Sequence, residues 1–142
     1  MNAGGTLLGG TGAAASGALT VTGAITLASG SVVQLALGAG TNSQIKANGG
    51  IVPDADQQFS FLDPGASAGT TYASLITGVA ADPGSQAGWS IANPGWAGTF
   101  AYNAGTQAID FPLTAVAESS AYGPPGAGSL AGLAVVRRRR RR

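Results

Sequence analysis

The chain has 142 residues, 24 of them Gly, and only seven basic and six acidic side chains, a composition that excludes an ordinary charged helical globule. The formal charge of +1 conceals two opposed parts: six of the seven cations are the terminal arginines, and the 136 residues before them hold one Lys against six acids, a net of −5. His and Cys are both absent, which removes Ser/His triads, thiol nucleophiles, disulfides and the common zinc sites, and so acidic a body is not drawn to nucleic acid.

The opening Met1-Asn2-Ala3-Gly4-Gly5-Thr6 has neither the positive charge nor the apolar run of an export signal, and we expect the chain to be the terminal part of a longer product. From Gly4 to Ala47, β-branched runs alternate with glycine breaks and predict strands at 6–8, 18–22, 24–27, 31–37 and 44–46. Leu19, Val21, Ile25, Leu27, Val33, Leu35 and Leu37 follow a period of two within their runs, so one face packs and the other is wet. The breaks are too short for crossover helices. Such strands suit a solenoid or a small antiparallel sandwich, and glycine corners favour the solenoid.

Larger side chains follow, with predicted strands at 57–62, 70–77, 89–91, 98–103 and 107–114. Asp63-Pro64-Gly65, Asp82-Pro83-Gly84 and Asn93-Pro94-Gly95 read as turns, with Pro presetting φ and Gly accepting a positive value. Asn103-Ala104-Gly105 closes an expected hairpin between Phe100 and Ile109. Phe59, Phe61, Tyr72, Trp89, Trp96, Phe100, Tyr102 and Phe111 all fall in this block, which suits a cap over a solenoid end.

The expected organisation is therefore all-β: a right-handed parallel β-helix (β-solenoid), with turns over 1–50, a β cap or terminal turns over 51–114, a linker over 115–125, and a short apolar helix with its Arg cluster over 126–142. Pro124-Pro125 keeps a helix from starting before Gly126. The apolar helix then spans about 16 Å, half of the roughly 30 Å hydrocarbon layer.

Chemistry-bearing candidates are few. Asp54 and Asp56, two apart after Pro53, read first as a solvated turn, then as a Ca²⁺ or glycoside-hydrolysis pair. Asp63 and Asp82 read as turn formers, Asp110 belongs on a wet face, and Trp89 and Trp96 read as cap packing ahead of sugar stacking. No catalytic residue, metal ligand or cofactor is assigned.

Val116-Ala117-Glu118-Ser119-Ser120-Ala121-Tyr122, then an apolar segment and Arg137, Arg138, Arg139, Arg140, Arg141 and Arg142, resembles the PEP-CTERM sorting signal of exopolysaccharide-making Gram-negative bacteria. Glu118 matches the motif's central acid, Ser120 the following serine and Tyr122 the aromatic, while Ala117 and Ser119 stand where the family has prolines. Residues 17–51 and 96–116 are similar to the final turns of autotransporter-associated β-strand repeat proteins. Together these resemblances imply a non-enzymatic, secreted surface or matrix protein, held transiently in the membrane by its tail at the cell envelope. They imply an exosortase-type processing enzyme and exopolysaccharide as partners, with no nucleic acid. The alternative is a β-helical polysaccharide-binding or polysaccharide-cleaving module.

Overall fold

The computed structural model describes residues 1–117, which are rich in strand, with a single 3₁₀ turn at Gln86–Gly88 among them. The strands are β1 (Thr6–Leu8), β2 (Ala18–Val21), β3 (Ile25–Thr26), β4 (Val32–Ala36), β5 (Gln44–Ala47), β6 (Ile51–Val52), β7 (Gln58–Leu62), β8 (Thr71–Thr77), β9 (Ser90–Ile91), β10 (Ala97–Gly98), β11 (Ala101–Asn103) and β12 (Ala108–Ala115). Over the described residues the protein is all-β, with parallel and mixed sheets and no closed barrel.

Each of the first strands pairs with a strand one pass later rather than with its chain neighbour. The first sheet is parallel throughout, in the order β1-β4-β7-β9. The second runs β2-β5-β8 in parallel and continues antiparallel into β12, which also pairs with β10 and β11. The third is the parallel pair β3-β6. Thr6, Val32 and Gln58 lie in one row, Ala18 faces Gln44, and Ile25 faces Ile51, so one spacing of 26 residues sets the register of all three sheets.

That spacing places apolar on apolar. Leu7, Val33 and Phe59 form one inward row, which Ile91 continues at a longer spacing, and Leu19 and Ile45 another, which Ile76 continues likewise. Val33, Phe59, Ile45 and Ile76 are fully buried, whereas Leu7 and Leu19, on the edge strands, are only half-buried. Inward side chains of successive strands thus supply one another's apolar surroundings, which offsets the weakness of a core built from small residues.

Side chains also clip successive passes through the main chain. Gln57 Nε2 donates to the Ser31 carbonyl at 2.8 Å, and Tyr72 Oη donates to that of Gly38 at 2.7 Å. Asn93 does both jobs: its Oδ1 accepts the Phe61 N–H and its Nδ2 donates to the Phe61 carbonyl, each at 2.7 Å. Each buried donor or acceptor satisfied this way avoids a desolvation cost of about 1–3 kcal/mol.

Beyond Leu62 the spacing lengthens: Asn93 stands 32 residues from Phe61. Gly78 marks the departure. At φ 89° a side chain there is strained, and its Cβ would overlap the Ala47 carbonyl oxygen. The chain turns away, with the Gly78 and Val79 N–H groups both donating to the Gln107 carbonyl.

Most predicted strands are present, with three differences. The expected strand at 98–103 is two short ones, β10 and β11, each pairing a different part of β12. The hairpin aligns Tyr102, not Phe100, with Ile109, because Asn103 pairs with Ala108 and its Oδ1 accepts the Gly105 and Thr106 N–H groups. β6 was not anticipated, being only two residues between Gly-Gly and Pro.

Candidate functional site

The acidic candidates are occupied locally. Asp54 Oδ1 accepts the Ala55 N–H at 2.6 Å, and Asp56 Oδ2 accepts the Ser29 hydroxyl at 3.0 Å. Asp63 Oδ1 accepts the Gly65 and Ala66 N–H groups at 2.9 and 2.6 Å, which closes its Pro-Gly turn. Asp82 does the same with the Gly84 N–H and also accepts the Gln86 side-chain amide. The Gln86 hydrogen bond first, and the Gly84 N–H second, hold the Asp82 carboxyl below its ordinary value of 3.8. Among the described residues no group of three acids is placed to hold a metal ion.

Asp110 alternates outward between the buried Ile109 and Phe111, and its carboxylate is engaged there. β8 carries extra residues opposite β12 between the Ile76–Ile109 and Tyr72–Phe111 pairs. Ser74, in that bulge at φ 55°, has no ladder partner, and Asp110 Oδ1 accepts its N–H at 2.7 Å. Asp110 Oδ2 accepts from Asn103 Nδ2 at 3.1 Å, which links the bulge to the β11–β12 turn. The carboxylate is half-buried and both oxygens are engaged.

The tryptophans sit in a run of rings. Phe59 stacks on Phe100 at 4.3 Å, Phe100 on Phe111 at 4.7 Å, and Phe111 on Phe61 at 4.8 Å. Trp89 closes one end, 5.4 Å from both Phe59 and Phe100, with its Nε1 donating to the Asp54 carbonyl. Trp96 closes the other, stacked on Phe61 at 5.8 Å. Trp89 and the Asp54 turn therefore share one corner, while Trp96 lies across the ring run. A depression of about 440 Å³ beside Trp89 is lined also by Gln86, Gly98, Thr99 and Phe100.

Of the sorting-motif residues, Val116 is half-buried against the core, and the neighbouring Ala117 lies against Gly95. Glu118, Ser120, Tyr122, Arg137, Arg138, Arg139, Arg140, Arg141 and Arg142, together with the linker's remainder and the expected apolar helix, lie outside the described residues. Among the described residues no helix is long and apolar enough to cross a membrane.

One feature escaped the sequence reading. Where the third sheet stops at β6, a groove of about 320 Å³ runs between Ile51, Val52 and Pro53 on one side and Val79 to Asp82 on the other. Val52 is 62% exposed there. The available signal was the spacing of 26, which aligns Ile51 with Ile25 and leaves no strand beyond β6.

No family model, curated protein or solved structure matches the chain.

Proposed function

We propose that the chain is a non-enzymatic structural protein of a bacterial surface or extracellular matrix, whose body is a β-solenoid of 26-residue turns and whose tail directs it to the envelope. The register common to four parallel ladders in three sheets carries this reading, since a stack of equal turns is a spacer whose length scales with the number of turns. The aromatic run acts as the cap, covering the apolar end of the last turn. Use of the acids in turns and the packing of Trp89 against Phe59 and Phe100 support a scaffold over a sugar-cleaving or sugar-stacking module.

The tail's role rests on its resemblance to the PEP-CTERM signal: Val116, Glu118, Ser120 and Tyr122 as the motif, and the six arginines as the basic stop that stays on the cytoplasmic side. An exosortase-type enzyme is the partner this implies, and exopolysaccharide is the surrounding matrix.

The test places the full chain behind an export leader in an exopolysaccharide-producing Gram-negative host, followed by cell fractionation and intact mass. The expected product is at the envelope or outside, shortened near Glu118, and Glu118→Ala or replacement of the arginines by Ser blocks the shortening. Whole chain in every fraction with unchanged mass, or release of sugar from the host polymer that stops with Asp54→Asn, contradicts the proposal.

A further inference from the structure

The third sheet is one strand short. The first and second sheets each gain a further parallel strand past β4 and β5, but β6 has none, because the chain leaves the stack at Gly78 and bows outward through Val79 to Ser85. The resulting groove has a backbone edge as well as apolar walls. Ile25 N–H donates to the Gly50 carbonyl and Leu27 N–H to that of Val52, so in this parallel ladder the N–H and C=O of Ile51 point away from β3. They have no backbone partner among the described residues. Pro53 has no N–H to offer, so the edge presents one donor between carbonyls, over a floor of Ile51, Val52, Val79 and Ala80.

The groove is acidic at its rim: Asp82 lines it, and Asp54 is the next residue after the lining Pro53. The complementary occupant is a short apolar strand, with β-branched residues, leading into positive charge. In this chain Lys46 is the sole Lys or Arg before residue 137, and it lies on β5 beside a different depression. One segment combines both properties: Leu133-Ala134-Val135-Val136 followed by six arginines. Fifteen residues lie between Ala117 and Leu133, a reach of about 50 Å when extended, against roughly 35 Å across a body of this size.

We propose that the groove beside β6 receives residues 133–142 of the same molecule, the apolar run adding as the missing strand of the third sheet and the arginines lying along the acidic rim. This inference goes beyond the sorting role and holds in vitro whether or not any enzyme processes the tail. Its consequence is that the apolar tail and the bound surface compete: a tail seated on its own body is withheld from lipid and from a processing enzyme.

The test uses the full chain, which has no native cysteine. In Val52→Cys/Val135→Cys, mild oxidation is expected to give an intramolecular disulfide whose yield is unchanged by tenfold dilution. Amide exchange supplies the second measurement: Ile51 N–H in the unsubstituted chain is expected to exchange about tenfold or more slowly than in Val135→Asp or Asp82→Lys, with Val33 and Ile45 protected alike in all three. Disulfide-linked dimers in place of the intramolecular product assign the groove to a second copy and overturn the proposal. So does equal Ile51 exchange in the three chains.

Discussion

Up to Leu62 the sheets grow by parallel strands 26 residues apart, with apolar side chains standing over apolar side chains; from Thr71 to Ala115 β8 and β9 still join in parallel, at longer spacing, but β10, β11 and β12 pair antiparallel and many inward side chains are rings. The first region can be extended by repetition, because every strand leaves an edge like the one it covers. The second region ends growth, because β12 reverses direction and β10 and β11 fold back on it. Stability should therefore be concentrated at the closed end, where Phe59, Phe61, Phe100 and Phe111 stack, and should decline toward β1 and β2, whose inward residues are half-buried.

The largest effect should come from breaking the ring run. Phe111→Ala removes the ring that joins Phe100 to Phe61 and is expected to cost about 3–5 kcal/mol in urea unfolding, whereas Leu7→Ala on the edge strand should cost about 1 kcal/mol or less. Equal costs would erase the distinction between the regions. A smaller effect tests the antiparallel pairing itself: Asp110→Ala strands the Ser74 N–H in its bulge and should cost about 2 kcal/mol. Asp110→Asn, which keeps an acceptor for Ser74, should recover part of that loss.

The parallel region was more legible in the sequence than the closed end. Its alternation of Leu19, Val21, Ile25, Leu27, Val33 and Leu35 identifies strands and an inward face because a half-buried strand has a period of two. Pairing partners were harder to see, since strands 26 residues apart share apolar character more than size or identity: Leu19 stands over Ile45 and Val33 over Phe59, with Gly23 and Gly49 at equivalent corners as a clearer sign. The Pro-Gly turns were readable because Asp63 and Asp82 act on N–H groups two residues away. Asp110 was not, because its partners are 36 residues upstream at Ser74 and across a hairpin at Asn103, and strand alternation carries no record of a bulge in the facing strand. The groove beside β6 was hidden for a similar reason: it exists because Gly78 diverts the chain, an event in tertiary packing.

The smallest expected effect concerns the wall of that groove. Asp82 is depressed in the folded state, so its contribution is complete above pH 3.8 and is lost as pH falls through the lowered folded value. Carbon-detected titration should place its midpoint below 3.8, and Gln86→Ala should move it upward, since the Gln86 hydrogen bond is the leading cause.

Register is the most direct thing to measure. In a uniformly labelled sample, interstrand backbone NOEs should connect Leu7 with Val33, Val33 with Phe59, and Leu19 with Ile45, all in parallel patterns. Antiparallel NOEs between β2 and β3, or between β4 and β5, would describe a meander of hairpins and contradict the stacked arrangement.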